Sequence, residues 1–253
     1  MQKYHLDQRT GIDVAGEEKP RMASLKKNKQ GLHAMITMSF GYAIEVSPLQ
    51  TLTLYNAVAN NGRMMKPYLV NQVLKDGIIL KQIEPVVLNE KLADKKIIAS
   101  AKSAMESVVT EGTGKYAFKG MSFPVAGKTG TAHVADGIIK YQDGVYQASF
   151  VGYFPADEPQ YSCIVVIRTR PHAPLHYGGQ LAAPVFREIA EKIYPVHINK
   201  SHPGHLQIEK DSNRFFYAGY TPDFKNVLSH LKMNFRDSAN KAAWSEMFGK
   251  EFI

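Results

Sequence analysis

Val125-Ala126-Gly127-Lys128-Thr129-Gly130-Thr131-Ala132-His133-Val134 is the stretch that decides how this chain folds. Two kinds of chemistry place a lysine and a hydroxyl residue behind a glycine in this way. A phosphate-binding loop needs an earlier glycine, four residues and then Gly-Lys-Ser/Thr, with a helix opening after the lysine. The position for that first glycine holds Ser122. After the lysine the chain runs through Thr131-Ala132-His133-Val134 to Asp136-Gly137, a hairpin-type turn. The nucleotide loop fails on both counts, and the stretch reads as a β-strand. On a strand, side chains alternate, so the Thr129 and Thr131 hydroxyls share one face. Gly130 between them lets a ligand come close to the backbone.

Residues 147–154 and 161–168 are the next strand-like runs. Asp143-Gly144 and the Pro159-containing stretch 156–160 supply the reversals. The pattern predicts an antiparallel meander of three strands. A helix over about 184–194 packs on it, with Val185, Phe186, Ile189, Ala190 and Ile193 inward and Pro195 as its stop. Upstream, Ser47 is an N-cap, Pro48 suits the first helical position and Gln50 completes a capping box. Leu52, Tyr55, Val58 and Ala59 form the expected stripe of that helix, and Asn60-Asn61-Gly62 ends it. A further helix carries Ile97, Ile98, Ala101, Ala104, Met105 and Val108 on one face, up to Gly112-Thr113-Gly114. The first thirty residues read as loop. The fold class is mixed α/β of the α+β kind: an antiparallel sheet flanked by helices.

The chain has 253 residues, room for one large domain or a domain with an appendage. Hydrophobic residues at 44% and charged residues at 21% exclude wholesale disorder and a coiled coil. The longest strongly apolar run, Cys163 to Ile167, is far short of a membrane span, and the N-terminal residues do not read as a signal peptide. A lone cysteine among isoleucine and valine is expected to be core packing. The net charge of +8 is spread along the chain. Its densest cluster, Lys19 to Lys29, has no interleaved aromatics, so no nucleic acid partner is expected. Beyond Pro195 the character changes: a polar stretch 197–204, then one short helix marked by Phe224, Val227, Leu228 and Leu231, with Trp244, Met247 and Phe248 placed to pack on it. The expected division is a main region, 1–195, and a small C-terminal extension, 196–253, too short to be stable alone.

The neighbours of Lys128-Thr129-Gly130 widen the argument. Thr10-Gly11-Ile12-Asp13 with Gly16-Glu17, Thr37-Met38-Ser39-Phe40-Gly41-Tyr42, Val46-Ser47-Pro48-Leu49-Gln50, Asn60-Asn61-Gly62 with Pro67, and Gly112-Thr113-Gly114 precede it. Ala148-Ser149-Phe150-Val151-Gly152-Tyr153-Phe154-Pro155, Tyr177-Gly178-Gly179 and Ala183-Pro184-Val185-Phe186 follow. In this order, over roughly residues 5 to 195, they resemble the C-terminal part of the transpeptidase domain of class B penicillin-binding proteins, of the division type. The resemblance implies the penicillin-binding transpeptidase and serine β-lactamase-like fold. It implies a role in crosslinking peptidoglycan during septal cell-wall synthesis: a serine attacks the D-Ala-D-Ala stem peptide, releases D-Ala and passes the acyl group to an amine. It also implies that Lys128, Thr129, Gly130 and Thr131 form the third active-site motif. Lys128 brings positive charge, the Thr131 N–H donates to the oxyanion, and both threonine hydroxyls hold the carboxylate of the stem peptide or of a β-lactam. Neither metal nor organic cofactor is implied. The location implied is the periplasmic side of the cell membrane, reached through an anchor upstream of these residues, with division-complex proteins as further partners.

One departure matters. The nucleophile Ser-x-x-Lys should precede Lys-Thr-Gly, at the start of a buried helix. The runs present are Ser24 to Lys27 in the basic loop, and Ser229 to Lys232 and Ser238 to Lys241 after the motif. Ser238-Ala239-Asn240 mimics the Ser-x-Asn motif in the same late position. None suits a lysine that must be desolvated to act as a base. The chain is therefore expected to be inactive alone as a transpeptidase, and to be unstable alone because apolar faces are left open. A β-lactam sensor or β-lactamase fragment, or a non-catalytic peptidoglycan- or divisome-binding remnant, are the alternatives. His172 and His176 flank Pro174 without a third ligand, and His133 is expected at the cleft rim. Asp136 and Asp143 read as turn residues, and Tyr42, Tyr55 and Tyr153 as core.

Overall fold

The computed structural model describes residues 2–23, 29–39, 41–135 and 138–198. In chain order the elements are β1 (Arg21–Met22), α1 (Lys29–Met38), β2 (Ile44–Glu45), α2 (Pro48–Ala59), β3 (Met64–Met65), β4 (Gln72–Lys75), β5 (Ile78–Gln82), β6 (Val87–Asn89), α3 (Lys95–Thr110), α4 (Lys115–Phe118), β7 (Ala126–His133), β8 (Tyr146–Phe154), β9 (Tyr161–Arg168) and α5 (Gly178–Ile193). The expected meander is present: β7, β8 and β9 form an antiparallel sheet in that order, with Thr129 opposite Phe150 and Phe150 opposite Val165.

Alternation divides this sheet into two buried faces. Phe150 and Phe154 point to one side, where Phe186, Ala182, Ala183 and Ala190 of α5 meet them. Phe118 of α4 completes an aromatic cluster, with ring centroids 5.0 Å from Phe150 and 5.9 Å from Phe186. Cys163 packs at the edge of this cluster, and burial pushes its thiol pKa up. Tyr153 points to the other side and joins Ala126 and Ala156 against Ala59 of α2 and Met105 of α3. Asn56 of α2 donates to the Ser162 hydroxyl at 3.0 Å on the same side.

The helices bear out some expectations and correct others. Ser47 and Gln50 form the reciprocal capping box of α2. Its stripe is broader than expected: Tyr55, Val58 and Ala59 face the sheet, whereas Leu54 and Ala57 pack on Met64 and Leu92. The inward face of α3 is Ile98, Met105 and Val109, with Ile97 and Ala104 exposed. The last helix begins at Gly178, six residues before Pro184, and Pro184 lies on its exposed side. Packing of Ala182 and Ala183 on the sheet outweighs the lost N–H bond. Pro195 does not stop the chain's helical course: a wider turn continues from Tyr194 to Ile198, and Tyr194 stacks on Phe123 at 3.8 Å.

The N-terminal region is loop in the main, with a short 3-10 turn and the β1–β2 pair as additions. Side chains pin it. Glu17 accepts from the Thr10 and Gly11 amides, and Gln50 donates to the Gln8 carbonyl. Asp13 accepts from the amides of Leu69 and Val70. From there β4 and β5 project as a hairpin that sequence reasoning missed, and every residue of both strands is exposed. The runs Ser24–Lys27, Ser229–Lys232 and Ser238–Lys241, Asp136, residues 24–28 of the basic cluster and the whole helix of the C-terminal extension lie outside the described residues.

Candidate active site

Strand β7 occupies an edge of its sheet, since among the described residues its one strand partner is β8. Two hydrogen bonds reveal which way its amides point. Val134 donates to Val145 on the β8 side, whereas His133 donates to the Tyr42 hydroxyl at 3.2 Å. Amide direction alternates along an antiparallel strand. The Thr131 and Thr129 amides therefore point, like that of His133, to the open edge.

Both threonine hydroxyls lie on the α5 face, as the alternation predicts. Thr129 Oγ1 is 2.6 Å from Thr113 Oγ1, in the loop between α3 and α4. Thr131 Oγ1 accepts from the Gly178 amide at 3.1 Å, at the first residue of α5. Two glycines make this approach possible. A Cβ on Gly178 would lie 2.3 Å from the Ser149 carbonyl oxygen and 2.4 Å from that of Gly130. A Cβ on Gly179 would lie 2.3 Å from the Thr113 carbonyl oxygen. Side chains of that size cannot be accommodated, so Gly-Gly is what lets α5 start against the motif strand.

Lys128 is exposed on the opposite face, and its ammonium donates to the Thr129 carbonyl at 2.8 Å. Gly130 shares that face with Ser149, whose hydroxyl fills the space a Cβ would need. Tyr153, deeper on this face, is fully buried with no partner for its hydroxyl among the described residues. Burial, aided by Glu106, pushes its phenol up to about 12, so it stays neutral and serves as core.

Beyond Thr131 the strand leads into aromatic rings. His133 meets Tyr146 edge-on at 4.1 Å, Tyr146 stacks with His176 at 4.3 Å, and His176 lies 4.3 Å from Tyr177. His133 thus ends the motif strand and His176 lies near it across Tyr146, while exposed His172 sits over the Gly144 turn. Among the described residues no three His, Cys, Asp or Glu side chains gather as a metal site would need. Tyr42 is not core, as expected from sequence, but half-buried beside a cavity of about 570 Å³ that α1 and Tyr141 help to line. A second cavity, of about 610 Å³, lies between α3, α4 and residues 121–125. Neither is lined by Lys128, Thr129, Gly130 or Thr131, which sit on an open strand edge. Sequence reasoning missed the contributions of Thr113, Tyr42 and the Gly178 amide. All three lie in stretches that carry the family resemblance, residues 37–42, 112–114 and 177–179, but nothing in those stretches alone says that they meet strand β7.

Residues 1–191 match the model of the penicillin-binding protein transpeptidase domain. The chain belongs to the penicillin-binding transpeptidase family. Stage V sporulation protein D of Bacillus subtilis (strain 168) is 32% identical over 201 residues, which are 77% of this chain and 30% of that protein. Peptidoglycan D,D-transpeptidase FtsI of Escherichia coli (strain K12) is 30% identical over 199 residues, 74% of this chain and 29% of that one. Among solved structures, penicillin-binding protein 3 of Mycobacterium tuberculosis, complexed with ampicillin, superposes with a TM-score of 0.64 at 26% identity, covering 80% of this chain and 46% of the other. This family member thus spans about a third of the length of the curated relatives it matches. Among its described residues no helix is long and apolar enough to cross a membrane.

Proposed function

We propose that this chain supplies the substrate-binding edge of a peptidoglycan D,D-transpeptidase, of the division type, at the periplasmic side of the cell membrane. The observation that carries the reading is strand β7: an open edge, an outward Thr131 amide and two threonine hydroxyls in one row. A stem peptide lies along this edge as an added strand. The Thr131 amide donates to the oxygen of the attacked carbonyl, and fixed donors of this kind act most strongly as charge develops. The Thr129 and Thr131 hydroxyls hold the terminal carboxylate, the Lys128 ammonium brings positive charge to the same edge from the other face, and a β-lactam carboxylate takes the same place. Gly130 puts no side chain on this edge, and the space on its own face is taken by the Ser149 hydroxyl. Residues 1–195 carry this work, and 196–253 form a small extension.

The chemistry balances without a cofactor. A serine oxygen bonds to the penultimate D-Ala carbonyl carbon, the peptide C–N bond breaks, and the terminal D-Ala leaves with a proton. The amine of a neighbouring strand then attacks the ester, and the serine recovers its proton. No serine among the described residues is assigned as the nucleophile. Incubation with a fluorescent penicillin tests the reading. These 253 residues alone are expected to take no covalent label. Joined to a segment carrying a buried Ser-x-x-Lys helix, they are expected to label stoichiometrically, and Lys128→Ala to slow acylation by roughly a hundredfold. An adduct on the chain alone, or full-rate labelling of Lys128→Ala, overturns the proposal.

A further inference from the structure

The hairpin of β4 and β5 is built unlike the rest of the domain. Asp76 and Gly77 turn it with positive φ, 51° and 79°, as a two-residue hairpin turn requires. Val73 faces Lys81 across the ladder, Leu74 faces Ile79 and Lys75 faces Ile78. Leu74, Ile78, Ile79 and Leu80 are all more than half exposed, and Leu69 at the base is 68% exposed. Its strands pair with each other and with no third strand among the described residues, so both outer edges are open. A two-stranded hairpin with this much bare apolar surface is marginal in water. Yet its base is held. Asp13 binds the Leu69 and Val70 amides, and the Ile83 amide and Gln82 side chain both bind the Asn71 carbonyl. A pre-ordered arm with open edges suits strand addition.

Charge selects the occupant. Lys75 and Lys81 lie on the same face of the arm, with Val73 and Ile78 between them, and neither is ion-paired among the described residues. A second copy brings the same lysines and a further +8 of net charge, and lysines on edge strands oppose self-pairing. We propose that the arm is a docking strand pair for another protein, and that its occupant is an extended segment alternating apolar and acidic residues. The segment adds as a third strand and sets its carboxylates against Lys75 and Lys81. This contact is separate from strand β7 and does not depend on the function proposed for it.

The test uses the full chain and a synthetic peptide alternating valine and glutamate, followed by fluorescence anisotropy and by hydrogen exchange. The peptide is expected to bind, to protect the outward amides of Gln72–Lys75 or Ile78–Gln82, and to weaken with salt. The double variant Lys75→Glu, Lys81→Glu, altered only at exposed positions, is expected to lose roughly tenfold in affinity and to gain affinity for the valine–lysine counterpart. A bound peptide that leaves the arm amides unprotected, or affinity unchanged by the double variant, overturns the proposal. So does arm protection by vesicles of equal parts phosphatidylcholine and phosphatidylglycerol without the peptide, or by concentration-dependent self-association.

Discussion

Two antiparallel sheets in this chain use similar residues to opposite ends. The β7–β8–β9 sheet presents Phe150 and Phe154 to α5, and Tyr153 to α2 and α3, so each of its faces carries a buried cluster. The β4–β5 arm presents leucine and isoleucine on both faces to solvent. The difference lies not in strand propensity, which both possess, but in what flanks each sheet. Long helices on either side of the sheet cover it, and the arm is joined to the body only at its base. Apolar alternation thus marks a strand without saying whether a layer will cover it.

The sharpest way to break this comparison is to cut one large apolar side chain back to alanine in each region. Phe186 is fully buried against Phe150 and Phe154. Phe186→Ala is expected to destabilise the chain by about 3–5 kcal/mol. Ile79→Ala in the arm is expected to shift it by no more than about 0.5 kcal/mol. Urea titration followed by circular dichroism measures both. Comparable losses would mean that the arm belongs to the cooperative core.

The next effect concerns close approach. Gly178→Ala drives a Cβ into the carbonyls of Ser149 and Gly130, neither of which rotates away. The start of α5 must shift, at an expected cost of about 1–3 kcal/mol. Gly130→Ala meets only the Ser149 hydroxyl, which turns aside, and is expected to cost less. The same denaturation assay ranks the pair. A reversed order would show that α5 does not start where the Gly178 amide can reach Thr131.

How much of this was legible follows the same division. Local signals predicted local structure well: Ser47 with Gln50 marked the start of α2, and alternation with turn residues marked β7, β8 and β9. The sequence pattern starts the last helix at about 184, whereas packing of Ala182 and Ala183 extends α5 back to Gly178. The arm was overlooked although Asp76-Gly77 between Val73-Leu74 and Ile78-Ile79-Leu80 is a hairpin signal. No residue of either strand is buried, so no core-facing stripe accompanies that signal. At the candidate site, residue types on one strand were readable. The Thr113 hydroxyl, the Tyr42 hydroxyl and the Gly178 amide come from distant segments, and no local pattern announces such meetings.

The smallest effect is a dependence on pH at the junction of the two regions. The Asp13 carboxylate has its pKa lowered below the ordinary 3.8, first by the Val70 amide and then by that of Leu69. A carboxylate with a depressed folded-state pKa adds stability above its unfolded value, and that stability is lost as pH falls through the folded pKa. Glu17 acts in the same direction: burial raises its pKa, but the bonds from Thr10 and Gly11 outweigh burial and leave it lowered. The buried clusters on both faces of the sheet contain no carboxylate. Acidification is therefore expected to loosen the arm's base while those clusters persist. Amide resonances of Leu69 and Val70, followed by NMR down the pH scale, are expected to titrate with a midpoint below 3.8. Asp13→Asn is expected to abolish that titration. A midpoint at or above 3.8 would mean that the two amides do not hold the carboxylate in solution, and that the arm is less firmly based than its hydrogen bonds indicate.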